Sequence, residues 1–313
     1  MHLNRIKQNL KTRLGQGAIM PLKMAQLRYS NKVSAYFGPR FYGQGRTKAP
    51  LKTPLNAAGE YPLYMRQLRM RHILLFRIFR DHCLFLTRGQ IERVLTLATR
   101  PTNKELHWLL SEKYLARRYR ADTYGHFQTP VYYLGTLGWH MVGNLADDYK
   151  EYRLRILQRA ERQMEHTLSI YDVVLKFIME SNVKRIIDGE DKFWQEAIDF
   201  GNLPDGWIQF NENGAFIEVD RGTERPIVLK KKFENYIKFY ESGSYANLFP
   251  ERVFKVLVFM TNEERIESLQ ETTTSDDIWF CTMNEFLKEP LDHAHWFAPR
   301  GFYALSAVSK KEM

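Results

Sequence analysis

The sequence predicts an α+β protein of two domains: a basic domain of helices closed by a β-hairpin, and a mixed α/β domain built around a second hairpin. Three observations support this fold class. Capped helical segments lead into two strand-like runs before residue 148, alternating apolar and polar residues flank a turn within residues 204–224, and the net charge changes sign along the chain. We expect a basic arm over residues 1–60, a first domain over residues 61–148 and a second over residues 149–305.

The two halves of the chain carry opposite net charge. Residues 1–150 contain 25 lysine and arginine residues against 8 acidic residues, whereas residues 151–313 contain 21 against 28. A basic half joined to an acidic half indicates a module that binds a polyanion, joined to a second module with another task. The sequence therefore favours nucleic acid as the partner of the first half.

The composition excludes several other classes of protein. No apolar run approaches the ~20 residues that span a bilayer, and the first residues lack the apolar region of a signal peptide. The only cysteines, Cys83 and Cys281, are far apart in the chain, which argues against a disulfide framework or a cysteine-based zinc site. We expect a cytoplasmic protein with no membrane partner.

Residues 1–60 form the most basic stretch, with eleven lysines and arginines and a single acidic residue, Glu60. Glycine, proline and asparagine interrupt this stretch, and no helical or strand period persists. The pattern predicts a flexible basic arm that becomes ordered on DNA. Aromatic residues in the arm are expected either to stack on bases or to dock onto the body of the protein.

Three helices and a β-hairpin are predicted between residues 65 and 145. The segment MRQLRMRHILLFRIFR gives the first helix, Thr87 caps the second, and Thr102 with Glu105 forms a capping box that opens the third. The strand-like runs YLARRYRA and PVYYLGT follow, and then a short helical segment. Three helices followed by strand, turn and strand are the pattern of a winged helix-turn-helix domain.

This layout assigns a DNA-binding surface to the first domain. The third helix becomes the recognition helix in the major groove of double-stranded DNA, and the arginine-rich hairpin becomes a wing beside the phosphates or the minor groove. The alternative is a winged helix that contacts another protein. The DNA-binding residues expected on the helix and the wing are Asn103, Lys104, His107, Lys113, Arg117, Arg118 and Arg120.

The second domain is predicted as alternating helices and strands around the central hairpin. Residues 146–180 form a long helical region with a break near Glu165 and His166. After the hairpin, a helix begins at Pro226, and an apolar strand, a helix capped by Thr261 or Asn262, a second strand and a short helix follow. This order predicts a mixed α/β layer structure.

The central hairpin gathers three carboxylates. Its strands WIQF and AFIEVD flank a turn at Asn213 and Gly214, and Asp205 lies at the mouth of the hairpin. Glu218 and Asp220 are two residues apart on one strand, so they share a face, while their neighbours enter a core. Such a cluster needs a cation, a basic partner or raised pKa values, and oxygen ligands of this kind suit Mg²⁺ or Mn²⁺.

The segments around this hairpin resemble the bacterial replication-relaxation family. The resemblance rests on Pro204-Asp205, on the signature running from Glu218 through Asp220 to Thr223, and on a lysine-rich helix containing Tyr236. It implies a DNA-binding accessory role in the replication, relaxation or mobilisation of plasmids or mobile elements. Replication or relaxase proteins are the partners that it implies.

The hairpin also resembles the PD-(D/E)xK nuclease fold, in which an Asp and a Glu hold a magnesium ion and a nearby Lys helps to activate water. Asp205 and Glu218 match the acidic positions, but Asp220 stands where the Lys is expected. Lys230 or Lys231 on the next helix would then supply the ammonium group. The resemblance implies Asp205, Glu218, Asp220 and Lys230 as catalytic residues, with the three carboxylates as ligands of Mg²⁺ or Mn²⁺. The alternative to such an endonuclease is a domain that only binds.

Overall fold

The fold was obtained as a computed structural model. Its described residues form two compact units, and the boundary between them falls between Leu168 and Ser169 along the chain. Both units combine helices and strands, which confirms the predicted α+β class. The predicted basic arm, residues 1–60, lies outside the described residues. The structure describes residues 68–121, 127–143, 146–181, 183–189, 193–194, 203–210, 213–249, 254–271, 273–291, 294–298 and 301–304.

The first unit contains the expected helices and hairpin. Its three strands pair antiparallel in the order β1-β3-β2. A short strand, β1, was not predicted. The elements in chain order are α1 (Met70–Asp81), β1 (Leu86–Thr87), α2 (Arg88–Leu95), α3 (Thr99–Ser111), β2 (Leu115–Ala121), β3 (Phe127–Leu134), α4 (Thr136–Met141), α5 (Ala146–Leu157) and the start of α6 (Glu161–Glu180).

The starts of α2 and α3 test the two predicted caps. Thr87 is the N-cap of α2, and its hydroxyl accepts a hydrogen bond from the backbone N–H of Gln90 at 3.3 Å, as predicted. The cap predicted at Thr102 is wrong, because α3 begins at Thr99. Thr102 is buried within the helix, and its hydroxyl donates to the carbonyl of Ala98 at 3.0 Å. The helix therefore extends one turn further toward the N-terminus than its sequence signal suggested.

Glu105, the other half of the predicted capping box, joins α3 to α1. Its carboxylate accepts a hydrogen bond from Arg71 and contacts Nε2 of the buried His72 at 2.9 Å. Burial lowers the pKa of His72 against the opposing effect of Glu105. Burial favours the neutral form of Glu105, but the bond from Arg71 and the charge of His72 outweigh it and lower the pKa of this carboxyl.

Helix α5 packs against the hairpin of the first unit, so the unit continues past residue 148. The hydroxyl of Tyr152 donates to the carbonyl of Leu84 at 2.9 Å and accepts from the N–H of Leu134 at 3.0 Å. The helical region is interrupted at residues 158–160. The break predicted near Glu165 and His166 is wrong, since both residues lie within α6.

The second unit is a mixed sheet with helices on both faces. Its described strands follow the order β10-β9-β8-β7-β6-β5-β4, with β6, β7 and β8 parallel and the other pairs antiparallel. The hairpin and the elements after it confirm the predicted order, whereas β4, β9 and β10 were not predicted. After the rest of α6 come β4 (Val183–Asp188), β5 (Gly206–Phe210), β6 (Asn213–Asp220), α7 (Pro226–Glu241), α8 (Ser244–Leu248), β7 (Phe254–Met260), α9 (Glu263–Gln270), β8 (Ile278–Thr282), α10 (Met283–Lys288), β9 (His295–Ala298) and β10 (Gly301–Ala304).

Two apolar layers cover the faces of this sheet. Ile217 and Val219 of β6 lie in the layer that α6 and α10 complete, as the alternation predicted. Phe216 belongs to the opposite layer, which contains Leu229 and Phe233 of α7. Because side chains alternate along a strand, Glu218 and Asp220 share the face of Phe216, which α7 and α9 cover. The fold therefore buries two carboxylates beneath these two helices.

The central hairpin is present, but its turn is not at Asn213 and Gly214. Both residues belong to β6, and Gly214 pairs with Gln209 of β5. The glycine is required for packing, since a Cβ at this position would lie 2.7 Å from the hydroxyl of Tyr245 and 2.8 Å from the ring of Trp207. The connecting residues 211–212 lie outside the described part of the chain.

Candidate functional site

The exposed face of α3 gathers three of the residues predicted to bind DNA. Asn103, Lys104 and His107 are all exposed, and with Thr99 and Arg100 they line a shallow surface pocket. Residues three or four positions apart share one face of a helix, so Arg100, Asn103, Lys104 and His107 lie along one side of α3. Arg100 lies on this face only because α3 begins at Thr99, which explains why the predicted surface lacked it.

Two further predicted residues are also exposed. Lys113 lies between α3 and β2 in the left-handed region, with φ of 60°. Arg117 lies on β2, and its guanidinium carbon is 4.8 Å from the ring centre of Tyr119. Both positions stay available to a ligand at the surface of the first unit.

Arg118 and Arg120, expected on the wing, are instead engaged within the protein. The guanidinium of Arg118 donates to the carbonyls of Ile156 and Arg159 at 2.6 and 2.9 Å and to the carboxylate of Glu161 at 2.8 Å. Arg118 therefore bonds to the end of α5, to the connecting residues and to the start of α6. Arg120 is 8% exposed and donates to the carbonyl of Thr129 at 3.1 Å. The structure thus corrects their assignment as exposed phosphate contacts.

Glu218 forms the centre of a buried polar site in the second unit. The residue is 2% exposed, and its two carboxylate oxygens have different partners. One oxygen accepts a hydrogen bond from the hydroxyl of Tyr236, and the other pairs with the ammonium of Lys232. Lys232 and Tyr236 are four residues apart on α7, so one helix face supplies both.

The protonation of this site follows from its burial. Burial raises the pKa of Glu218 to about 8; Lys232 opposes this effect, and the charge of Asp205 adds to it. Burial lowers the pKa of Lys232, but the charges of Glu218 and Asp205 outweigh it and raise the pKa above its usual value. Burial and the charge of Glu218 raise the pKa of Tyr236. The site therefore joins an ammonium and a phenol, both of them donors, to a carboxyl whose ionisation is opposed by burial.

Asp205 lies beside this site at the start of the hairpin. It precedes β5, is half-buried, and accepts a hydrogen bond from the N–H of Val219 at 2.7 Å. Its negative charge contributes to the raised pKa of Glu218. Asp205, Glu218 and Lys232 therefore form one electrostatically coupled group.

Asp220 belongs to a different arrangement. One carboxylate oxygen pairs with Arg265 of α9, and the other accepts from the N–H of Gly222 at 3.0 Å. Gly222 has φ of +77°, which a glycine adopts without strain. Arg265 also donates to the carbonyl of Glu224. These contacts fix the loop that carries the DRGT signature at the start of α7.

The predicted three-carboxylate metal site is therefore not formed. Among the described residues, no group of three or more His, Cys, Asp or Glu side chains is placed to hold a metal ion. Asp220 pairs with Arg265, and both oxygens of Glu218 have partners on α7. Asp205 and Glu218 remain close enough for the charge of Asp205 to act on the pKa of Glu218.

The lysine at the acidic site is Lys232, whereas Lys230, predicted for this role, is exposed, as is Lys231. The spacing of the buried residues contains the signal that distinguishes them. Lys232 is three positions after Leu229 and four before Tyr236, on the edge of the buried face of α7. Arg265, which lies 45 residues after Asp220, has no comparable signal in the sequence.

The fold and the site together define a two-unit α+β protein with an exposed basic helix face in one unit and a buried carboxyl–lysine site in the other. Within the described residues, no helix is long and apolar enough to cross a membrane. The chain belongs to the replication-relaxation family, whose model matches residues 76–251, more than half of its 313 residues. This membership points to a role in plasmid or mobile-element replication or relaxation. A search of curated proteins gives no match.

Proposed function

We propose that this protein binds duplex DNA through its first unit, which acts as a winged helix, and that it serves as an accessory factor in plasmid or mobile-element replication, relaxation or mobilisation. The observation that supports this proposal best is the exposed face of α3. Arg100, Asn103, Lys104 and His107 there provide two full positive charges and two polar groups around one pocket. The family membership gives the biological setting.

The chemistry of this face suits the major groove. Arginine pairs well with the two acceptors of guanine, asparagine with the acceptor and donor of adenine, and lysine with guanine or phosphate. In this proposal α3 enters the groove, and the β2–β3 hairpin is the wing that brings Arg117 to the backbone. Arg118 and Arg120 stabilise the domain and make no contact with DNA.

Fluorescence anisotropy of duplex DNA tests this assignment with a charge-matched control. Replacing Arg100 and Lys104 by Ala should weaken binding and reduce the salt slope by about 1.8 if both side chains contact phosphates. The control replaces Lys150 and Arg162, exposed cations elsewhere in the first unit, and should leave the slope unchanged. Equal effects of the two double replacements would contradict a localised DNA-binding face.

A second function, metal-dependent cleavage of DNA, is favoured by the group formed by Asp205, Glu218 and Lys232. The elements around it run helix, three antiparallel strands, two helices and a parallel strand, from α6 to β7. The acidic residues lie before the second strand and on the third, and the lysine lies on the following helix. This order supports the resemblance to the PD-(D/E)xK fold, with the lysine supplied by α7.

In this second function each residue has a distinct task. Asp205 and Glu218 would hold Mg²⁺ or Mn²⁺, which would supply an activated water and stabilise charge on the phosphate. Lys232 keeps its proton at neutral pH and so places a positive charge beside both carboxyls. Glu218 must ionise to act as a ligand, so activity should rise as the pH approaches about 8.

Incubation with supercoiled plasmid, with and without Mg²⁺ or Mn²⁺, distinguishes the two functions. Nicked or linear product that depends on the metal, and is lost in Asp205→Asn and Lys232→Met but kept in Lys230→Ala, would support cleavage. Binding without any change in topology would leave the accessory role alone. Relaxed closed circles would require a different nucleophile, because Tyr236 is buried and its hydroxyl is held by Glu218.

A further inference from the structure

The β2–β3 hairpin of the first unit carries an aromatic and basic cluster in which Arg117 and Tyr119 are exposed. Arg117 and Tyr119 are two residues apart on β2, and Arg117 lies directly opposite Tyr132 on β3. The guanidinium of Arg117 lies over the ring of Tyr119, and the charges of Arg117 and Tyr119 both affect the pKa of Tyr132. These three side chains therefore share one face of the sheet.

The exposure of Tyr119 is the unusual feature of this cluster. The residue remains 51% exposed although the guanidinium of Arg117 lies over its ring. Tyr240 is 43% exposed, but its ring stacks on Phe254 with centres 4.6 Å apart, so it helps to close the core of the other unit. Tyr119 thus presents aromatic surface to solvent next to a positive charge.

An aromatic ring beside an arginine is suited to one kind of ligand, a base together with its phosphate. Bases stack on tyrosine rings, while the guanidinium both orients the ring and donates hydrogen bonds to phosphate. Within a duplex the faces of the bases are covered by their neighbours. Only an unpaired nucleotide offers a free base face to such a ring.

We propose that Arg117 and Tyr119, on the same sheet face as the buried Tyr132, form a stacking site for an unpaired nucleotide, so that the protein prefers DNA in which a duplex adjoins a single-stranded segment. This inference rests on the proposed DNA binding of the first unit and specifies its substrate. The α3 face holds the duplex, and the hairpin captures the first unpaired base. DNA that is partly melted is the substrate class that both surfaces fit together.

The test compares a blunt duplex with the same duplex carrying a short single-stranded tail that contains 2-aminopurine. We expect the wild-type chain to bind the tailed DNA about tenfold more tightly, in the range of one base stacked on an aromatic ring. Stacking should also quench the 2-aminopurine fluorescence. Tyr119→Phe should keep both effects, whereas Tyr119→Leu, which retains apolar bulk without an aromatic face, should lose both and still bind the blunt duplex.

The outcomes separate this inference from the duplex-binding proposal. Replacing Arg100 and Lys104 by Ala should weaken binding of both DNAs by the same factor and leave the preference intact. Equal affinity of the wild type for both DNAs, or a preference that survives in folded Tyr119→Leu, would overturn the stacking site while duplex binding stands. Quenching on the tail without any binding of blunt duplex would retain the stacking site and refute duplex recognition by α3.

Discussion

Replacing Glu218 by Gln should remove a pH dependence from the stability of the second unit. The side chain is buried, accepts from Tyr236 and pairs with Lys232, and its pKa is raised to about 8 by burial. Glutamine has nearly the same size and does not ionise, but its single amide oxygen can accept from only one of the two partners. The ionisation is therefore measured by the pH dependence of stability, and the lost acceptor by the stability at a single pH.

The sign and size of the effect follow from the two pKa values. The folded state binds the proton of Glu218 more tightly than the unfolded chain, in which the carboxyl has its ordinary pKa of about 4.5. Below pH 4.5 the raised pKa of Glu218 therefore contributes its full stabilisation. This contribution decreases as the pH rises from 4.5 to about 8 and does not change further at higher pH. Since one pKa unit corresponds to about 1.4 kcal/mol, the free energy of unfolding should fall by about 2 kcal/mol between about pH 6 and about pH 8.

Urea denaturation of the full chain, followed by tryptophan fluorescence at several pH values, measures this loss. Trp207 and Trp296 are fully buried in the second unit and report on its unfolding. The matched control is Glu224→Gln, which removes an exposed carboxylate that also acts on Lys232. The control should follow the wild type, and Glu218→Gln should lack the fall. Parallel pH profiles for the wild type and Glu218→Gln would refute the reasoning.

Five further replacements test the first unit, by urea denaturation and, for the two arginines, by the salt slope of DNA binding. Gly138→Ala should lower the free energy of unfolding by about 1–3 kcal/mol through overpacking, because a Cβ there would lie 2.1 Å from a backbone oxygen. At Gly89 a Cβ would meet no atom within 4 Å, so Gly89→Ala should stabilise α2 by up to about 1 kcal/mol. Glu105→Gln should lower stability at neutral pH by about 1–3 kcal/mol and weaken its loss in acid, because the pKa of this carboxyl is lowered by folding. Arg118→Gln should destabilise the unit by about 2 kcal/mol yet leave the salt slope of DNA binding unchanged, whereas Arg117→Gln should reduce that slope by about 0.9. A normal stability together with a reduced slope in Arg118→Gln would contradict the contacts assigned to it.

Local periodicity determined much of the second unit. Alternation along β6 placed Glu218 and Asp220 on one face and Ile217 and Val219 on the other, and the structure bears out both assignments. A strand with two differently covered faces has only one register that buries its apolar side chains, so the pattern is sufficient. The start of α7 at Pro226 also follows from local sequence, because the fixed φ of proline suits the first helical turn.

The caps show where local signals compete. Thr87 caps α2 as predicted, but the equally good signal at Thr102 is overridden, because α3 gains an extra turn from Thr99. The carboxylate of Glu105 is then used between helices rather than at a helix end. Within the longer helix Thr102 is buried, and its N–H and hydroxyl both donate to the carbonyl of Ala98, at 3.1 and 3.0 Å, in place of the predicted cap.

The sequence alone determined which residues are charged, which strand face they share, and that a lysine-rich helix follows the hairpin. Only the tertiary structure decided how these charges pair. Lys232 rather than Lys230 meets Glu218, Arg265 separates Asp220 from the other carboxylates, and Arg118 turns inward while Arg117 stays exposed. The physical reason is that periodicity fixes the orientation of side chains within one element, whereas an ion pair depends on the rotation and position of two elements far apart in the chain. The same pattern of residues is compatible with several such arrangements, and burial of the apolar faces selects one of them.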